Sequence, residues 1–287
     1  MGQKIKYFVY ALIPAIMLNI IQAFALVLVT VYSFMEQLSK TGLPSDDPMA
    51  VSSYVLAAMN GVMNNQRIEV VLSLYLVLAL IVELIVGYFV FKQKSLKGNI
   101  KNINLQAVGG ITLSIIGLGI TTNFILNIVY EVFPNAMEKY NDMMQQLGIG
   151  DDFSMITIIC AVIGAPIVEE ICFRGFTLKL FEKSFNNFLV ANICQALLFG
   201  IVHGNIIQGT YAFCIGMVLG YIRKRYDSIY ASILGHLLFN FFGTVITTLV
   251  SGLGMGFSSI IAIFAGAAVF VLGMYLMRAK EKTSVSL

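Results

Sequence analysis

The sequence has no tryptophan, only two histidines and five prolines, and few charged residues. Charged side chains make up 11% of its 287 residues, whereas a soluble domain averages about 25%. So little charge, together with 58% hydrophobic residues and a mean hydropathy of +0.85, excludes an ordinary soluble domain. The composition therefore predicts an all-α, polytopic membrane protein, with residues 1–287 forming a single membrane domain.

The four cysteines do not indicate a disulfide framework or a metal site. Cys160, Cys172, Cys194 and Cys214 all lie in apolar runs, and no two of them form a CxxC pair. A cysteine in such a setting usually behaves as a small buried hydrophobe, which is what we expect here. A nucleophilic role for Cys172 is disfavoured because, two residues after Glu170, it faces away from that carboxylate.

Eight apolar runs approach the roughly 20 residues that a helix needs to cross a bilayer. They cover residues 8–34, 70–91, 107–133, 153–180, 187–208, 210–222, 229–250 and 256–277. The sixth run is short and its boundary with the fifth is poorly marked. The pattern predicts about eight transmembrane helices. Residues 35–69 and 134–152 are predicted to be outer loops, the first with a helix over 49–63 and the second with an amphipathic turn.

Basic residues concentrate on one side of the predicted bundle. With the N-terminus inside, fourteen lysines and arginines fall on the cytoplasmic side, and only Lys40, Arg67 and Lys139 fall on the other. Because basic residues favour cytoplasmic loops, this bias places both termini in the cytoplasm. The basic runs are topology signals, so the expected environment is the lipid bilayer of a cell membrane, and no nucleic-acid partner is expected.

Three ionisable side chains lie close together in the predicted fourth span. Glu169, Glu170 and Arg174 interrupt a largely apolar stretch from residue 153 to 178. Ionisable groups in a membrane span are costly unless they pair or face a water-filled cavity, so they mark a functional site. Glu170 and Arg174, four residues apart, share a helix face and can pair. Glu169 points about 100° away and stays available for chemistry.

The two histidines lie in other apolar spans and are accompanied by polar or aromatic residues on the same face. Phe199 precedes His203 by four residues and could form the wall of a pocket, and Asn240 follows His236 by four residues. Each pair shares a helix face. Three helices are thus expected to direct functional groups toward one point.

The depth of His203 is the difficulty in this arrangement. Counted from Asn187, His203 lies nearer the outer side of the membrane than Glu169 or His236. A shared pocket therefore requires the fifth helix to start deeper, to tilt, or to break at Gly200 or Gly204.

The polar residues of these three spans resemble the ordered signature motifs of a known family. The motifs are Glu169-Glu170-x-x-x-Arg174, Phe199-x-x-x-His203 and His236-x-x-x-Asn240. They are similar to those of the CAAX protease and bacteriocin-processing family, glutamate intramembrane endopeptidases that include the type II CAAX prenyl endopeptidases. The resemblance covers about residues 150–250, which we interpret as the catalytic core.

The resemblance implies hydrolysis of a peptide bond by a water molecule activated inside the membrane. Glu169 would be the general base, and His203 would help to hold and polarise the water. His236 and Asn240 would donate hydrogen bonds to the developing oxyanion. The supporting residues would be Glu170, Arg174 and Phe199. No metal or cofactor is implied; the expected partner is a peptide or protein substrate in or at the membrane, and a regulatory membrane partner is left open.

Three other functions compete with this interpretation. Glu169, His203 and His236 have the residue types of a His₂Glu zinc site, but there is no HExxH motif and no obvious further carboxylate. A non-proteolytic protein, for bacteriocin self-immunity or as a partner scaffold, would use the same groups as a structural network. A proton-coupled transporter would also contain buried Glu and His, but the inverted repeats typical of transporters are missing.

A few further residues carry predictions about packing. Glu83 is the one charged residue inside the second span, and it could face the cavity, pair with Arg174 or stay protonated. Close helix contacts are predicted at Gly109, Gly110, Gly117 and Gly119 in the third span, and at Gly216 with Gly220 in the sixth. Asn123 predicts a hydrogen bond between helices.

Overall fold

The computed structural model describes residues 2–41, 48–62, 65–89, 100–146, 154–246 and 259–278. Within these ranges the regular elements are all helical, which confirms the all-α prediction. The helices are α1 Gly2–Thr41, α2 Pro48–Val62, α3 Asn65–Phe89, α4 Leu105–Val132, α5 Pro134–Gln146, α6 Met155–Phe185, α7 Phe188–Val202, α8 Ile206–Tyr226, α9 Ile229–Phe241 and α10 Ser259–Arg278. A wider helical turn, Phe242–Ile246, continues α9.

Six of these helices are long and apolar enough to cross a membrane, and two more are apolar but shorter. The long ones are α1, α3, α4, α6, α8 and α10, and the shorter ones are α7 and α9. In chain order the eight correspond to the eight predicted runs, so the chain is an integral, polytopic helical bundle. The basic segment 90–99, the connection 247–258 and the C-terminal residues 279–287 lie outside the described residues.

The predicted end of the fifth span was wrong. The helix α7 ends at Val202 rather than at residue 208, and Gly204 turns the chain with a φ of +68°. Its 15 residues span about 22 Å, less than the roughly 30 Å of a bilayer's hydrocarbon. His203 at its end therefore need not lie at the outer face. This short helix removes the depth difficulty, since the chain breaks at Gly204 as the shared pocket required.

Helices α7 and α8 form a closely packed hairpin, as the glycine pair predicted. A Cβ added to Gly216 would lie 3.1 Å from the Ala196 Cβ, and one added to Gly220 would lie 1.8 Å from Asn192 Oδ1. This close approach lets the buried amide of Gln195 donate to the Gly216 carbonyl at 2.9 Å and to Asn192 Oδ1 at 2.8 Å.

Helix α6 lies at the centre of the bundle and packs against α1, α3, α7 and α9. Its Val168, Cys172 and Phe173 join the main hydrophobic cluster with Phe199 and Leu219. All four cysteines are free. Cys160 and Cys172 are buried as expected, whereas Cys194 is half-buried and Cys214 is exposed, so the expectation was wrong for the last two.

Helix α4 packs against α10 with almost no space between the backbones. A Cβ on Gly117 would lie 2.3 Å from the Phe270 backbone nitrogen, and one on Gly273 would lie 2.3 Å from that of Ser114. There is therefore no room for a side chain at either of these glycines. Gly109 and Gly119 have nothing within 4 Å of such a Cβ, so the prediction of a close contact was wrong for these two.

Replacing Gly117 by alanine should separate α4 from α10 and lower the thermal stability of the membrane protein. Overpacking of this kind costs about 1–3 kcal/mol, and here the clash is with backbone atoms that have no rotamer to change. Unfolding in detergent can be followed with a dye that reacts with cysteine, since Cys160 and Cys172 are buried. The melting temperature should fall by several degrees.

Gly109→Ala is the matched control on the same helix, and it should leave the melting temperature unchanged or raise it slightly. Equal losses of stability in the two variants would contradict the packing described for α4 and α10.

Candidate active site

Helix α6 contains a π-helical turn before the two adjacent glutamates, and Pro166 explains why it forms there. Residues Cys160–Gly164 form a π-helical turn, in which Ala165 donates to the Cys160 carbonyl. The next carbonyl, Ala161, would receive its π-type hydrogen bond from Pro166, which has no N–H. Asn240 of α9 supplies the missing donor, with its Nδ2 at 2.9 Å from that carbonyl. The side chain of Asn240 therefore connects α9 to α6 at a break in the backbone ladder.

The predicted pair between Glu170 and Arg174 forms and is entirely buried. Arg174 Nη1 donates to Glu170 Oε1 at 2.7 Å, and both side chains have no exposed surface. Arg174 Nη2 reaches the Gly216 carbonyl of α8 at 3.2 Å. The guanidinium also lies over the Phe199 ring, 4.6 Å from its centroid. Arg174 thus connects three helices and gives Glu170 a fixed position.

His236 extends this buried network toward the second carboxylate. Its Nδ1 lies 3.0 Å from Glu170 Oε1, where an N–H on that nitrogen donates to the carboxylate. The opposite nitrogen, Nε2, lies 3.7 Å from Glu169 Oε2. The His236 side chain is 4% exposed and that of Glu169 is 22% exposed. The imidazole of His236 therefore lies between two carboxylates: Glu170, which is buried and paired with Arg174, and Glu169, which is partly exposed.

Glu169 and both histidines line a cavity of about 380 Å³. The 3.7 Å between Glu169 and His236 exceeds the length of a direct hydrogen bond and suits a water molecule held between the two groups. His203 lines the same cavity, and its Nδ1 lies 2.6 Å from the Phe199 carbonyl, so that nitrogen donates. Its Nε2 therefore carries the free lone pair of the neutral ring.

Phe199 forms the wall between these groups. Its ring centroid lies 4.8 Å from that of His203, 5.8 Å from that of His236 and 4.9 Å from that of Phe173. Within the part of the chain that the structure describes, His203 makes no ion pair or hydrogen bond with Glu169, whereas His236 lies next to it. The structure brings all seven predicted site residues together. The histidine beside Glu169 is His236, although the motif resemblance gives the role of holding the water next to Glu169 to His203.

Sequence reasoning missed two tyrosines of the cavity wall. Tyr140 of α5 and Tyr211 of α8 line the cavity with their hydroxyl oxygens 3.3 Å apart. Burial raises the pKa of Tyr140, so this phenol stays protonated at neutral pH. The signal in the sequence was the amphipathic turn in 134–152, which is the helix α5.

Neither of the two structural roles suggested for Glu83 is found. The side chain is fully buried, but it lies outside the cavity lining, and the described partners of Arg174 are Glu170 and Gly216. Neither Glu83 oxygen has a hydrogen-bonding partner among the described residues. Asn123 also differs from its prediction, because its Nδ2 donates to Gly119 of its own helix at 3.1 Å.

The geometry gives little support to the zinc hypothesis. Across the ranges that the structure describes, no group of three or more His, Cys, Asp and Glu side chains is placed to hold a metal ion. The contact of Glu170 with His236 Nδ1 does not argue against a metal, because a metal-binding histidine commonly donates its other N–H to a carboxylate. The described residues thus offer carboxylates and imidazoles for proton transfer.

Comparison with known proteins matches the segment that contains these residues. Residues 151–242 match the family model described as "Type II CAAX prenyl endopeptidase Rce1-like". A Bacillus subtilis (strain 168) protein named "Putative membrane peptidase YdiL" is 29% identical over 139 residues, 48% of this chain and 54% of the relative. The match thus spans about half the length of that relative. No solved structure matches the chain. With three motifs on three helices meeting at one cavity, residues 151–242 resemble the type II CAAX prenyl endopeptidase domain of the CAAX protease and bacteriocin-processing family.

Proposed function

We propose that the chain is an intramembrane endopeptidase of the glutamate type, which hydrolyses a peptide bond of a membrane-associated peptide or protein. The observation that carries the proposal is the placement of Glu169 at the cavity, 3.7 Å from an imidazole whose other nitrogen contacts a buried carboxylate. A carboxylate and an oriented imidazole beside one cavity are what water activation needs. The family and the relative named as a membrane peptidase support the same reaction class.

Glu169 acts as the general base in this proposal. A water molecule between Glu169 and His236 loses a proton to the Glu169 carboxylate as its oxygen bonds to the carbonyl carbon. The proton then passes from Glu169 to the amide nitrogen as the C–N bond breaks. Because one carboxyl group accepts and returns the proton, the step balances without a metal ion or cofactor.

His236 is held for this step by the buried network behind it. Glu170 accepts from Nδ1 and so fixes the ring orientation and the tautomer, as the carboxylate does in a catalytic triad. The Nε2 atom then faces Glu169 and the shared water. The contacts therefore favour His236 for the role of polarising the water, which the motif resemblance gives to His203.

The developing oxyanion needs hydrogen-bond donors on the other side of the carbonyl. Asn240 commits one N–H to Ala161 and keeps the second, and His203 lines the cavity from the end of α7. Each donor to an oxyanion lowers the barrier by roughly 2.7–4 kcal/mol. We assign this role to Asn240.

We infer that both termini lie in the cytoplasm. The support is the excess of lysine and arginine on the side of the N-terminus, with fourteen residues against three. In this orientation α5, whose Tyr140 lines the cavity, lies on the outer side of the membrane.

Replacing Glu169 by glutamine should abolish proteolysis, because the amide cannot accept the proton of the water. The test is a comparison of the peptides released by cells that carry the wild type or the variant, after equal membrane accumulation has been verified. Peptides present only with the wild type are expected. Glu131→Gln is the control, since Glu131 is an exposed glutamate of α4 outside the cavity.

Unchanged peptides in Glu169→Gln would contradict the role of the general base and leave a scaffold or immunity protein as the better interpretation. Loss of activity on treatment of the purified protein with 1,10-phenanthroline, with recovery on adding Zn²⁺, would instead favour the zinc hypothesis.

Replacing Glu170 by glutamine should lower activity by about 10²- to 10⁴-fold, because the amide no longer fixes the imidazole of His236. The variant also leaves the Arg174 guanidinium buried without a counterion, which costs roughly 3–5 kcal/mol of stability. Activity per folded molecule and the melting temperature should be measured together. Full activity in a folded variant would show that His236 does not depend on Glu170.

The orientation predicts opposite results for reporters fused at two positions of the chain. Fusion of a fluorescent protein after residue 287 should give fluorescence, and fusion of alkaline phosphatase after residue 146 should give enzyme activity, since only the second reporter is exported. Phosphatase activity at the C-terminus would overturn the assignment of the termini.

A further inference from the structure

The cavity continues beyond the catalytic residues to α1, and α1 presents a regular row of side chains to it. This row, the α1 stripe, consists of Ala15, Leu18, Asn19 and Gln22. The spacing i, i+3, i+4, i+7 places all four on one helix face. Asn19 and Gln22 are exposed side chains in the middle of a membrane-spanning helix. Polar groups at such a position usually face a cavity and mark a substrate path.

Helix α4 presents a second row with the same spacing. The α4 stripe consists of Gly119, Thr122, Asn123 and Leu126. In both stripes the first residue is small and the third is asparagine. Helix α1 packs against α3 and α6, whereas α4 packs against α10 and α9, so the two stripes lie on helices with different main neighbours. The cavity therefore has two similar walls.

The two asparagines are anchored in the same way. Asn19 Nδ2 donates to the Ala15 carbonyl at 2.9 Å, and Asn123 Nδ2 donates to the Gly119 carbonyl at 3.1 Å. Each bond holds the amide along its own helix. Within the described part of the chain, neither Oδ1 has a hydrogen-bonding partner, and the same is true of the Gln22 and Thr122 side chains. These groups are free to bond a molecule in the cavity.

The chemistry of the stripes fits an uncharged peptide chain. Amide and hydroxyl groups both donate and accept hydrogen bonds, which is what a peptide backbone requires. Among the described residues of the lining, Glu169 is the one carboxylate, and there is no lysine or arginine to hold a phosphate. Leu18 and Leu126 add apolar contacts for side chains. The phosphate of a lipid headgroup would find no lysine or arginine among these residues.

A peptide inside a membrane must have its backbone groups bonded by protein when it is not helical. A protease has to present an extended segment, so the lost helical hydrogen bonds must be replaced. From its first to its last residue each stripe rises by about 10.5 Å along the helix, which matches about three residues of an extended chain. The stripes thus offer polar groups along a length suited to the residues next to a scissile bond.

We propose that the α1 and α4 stripes form a subsite that holds an apolar substrate segment in an extended conformation, with Asn19 and Asn123 bonding its backbone. The proposal rests on the proteolytic function and specifies the substrate: an unwound, uncharged stretch of a membrane-inserted peptide. Asn19 and Asn123 are binding residues, and the reaction itself stays with Glu169.

Site-specific photocrosslinking in cells tests this subsite and identifies the bound segment in the same experiment. The photoreactive amino acid p-benzoylphenylalanine replaces Asn19, Asn123 or Ile125 one at a time in the Glu169→Gln variant, which keeps substrate uncut. Ile125 is the control, because it is exposed on α4 outside the cavity lining. The adducts are identified by mass spectrometry. Positions 19 and 123 should capture the same peptide segment, and position 125 should capture only lipid.

A second measurement compares leucine variants in the active protein. Asn123→Leu should lower the release of the wild-type peptides at least tenfold, and Asn127→Leu should change it less than twofold. Asn127 is the matched control, an exposed asparagine of the same helix that does not line the cavity. All variants must accumulate equally in the membrane.

The outcomes separate this subsite from the proposed function. Peptides released by the wild type, with only lipid captured at positions 19 and 123, would overturn the subsite and leave the protease in place. Capture of one peptide at both positions, when the wild type releases no peptide fragments, would support the subsite and contradict proteolysis. An equal loss of peptide release in Asn123→Leu and Asn127→Leu would also overturn the subsite.

Discussion

The structure depends on a carboxylate and a guanidinium that have no access to solvent. Glu170 and Arg174 lie at 0% exposure in the central helix, 2.7 Å apart. Removing two charges from water is costly unless their remaining hydrogen-bonding groups are also satisfied. The Gly216 carbonyl accepts from Arg174, His236 contacts Glu170, and the Phe199 ring lies against the guanidinium. Glu170 Oε2 and Arg174 Nε have no hydrogen-bonding partner among the described residues. The pair therefore fixes the relation of α6 to α7, α8 and α9.

A consequence of this constraint is that the candidate site is built from helices rather than from loops. The Gly216 carbonyl accepts from both Arg174 and Gln195, which is possible because α7 and α8 approach through glycine. The break at Pro166 frees one carbonyl of α6, and Asn240 binds it. Because each of these contacts joins different helices, Glu169 and His236 meet without a flexible segment between them and the core. Such preorganisation favours charge stabilisation during the reaction.

Much of the fold and the candidate site follows from the sequence for physical reasons. Apolar runs report membrane helices because the bilayer sets their length, and the i, i+4 spacing of Glu170 and Arg174 reports a pair because a helix fixes that distance. The end of α7 was misplaced because His203 and Gly204 continue an apolar run, although the chain turns there. Hydropathy does not register a turn between two apolar segments.

Contacts between distant segments were the part that the sequence did not reveal. Nothing local to His236 distinguishes a ring held by Glu170 from one held by another group, since the two residues are 66 positions apart. The bond from Asn240 to the Ala161 carbonyl likewise depends on the π-helical register before Pro166. Asn123 was predicted to bond another helix, yet its bond is local and its remaining polar atom faces the cavity. Which partner each of these polar side chains bonds depends on how the helices around it pack.

We propose that the cavity around Glu169 hydrolyses peptide bonds with water. The most direct test places the purified protein in proteoliposomes, fuses them with membranes from cells that lack it, and incubates them in H₂¹⁸O. New C-termini are then identified by mass spectrometry. The account predicts ¹⁸O-labelled C-termini on membrane-derived peptides with the wild type and none with the Glu169→Gln protein. The same labelled C-termini with both proteins, or none with either, would contradict it.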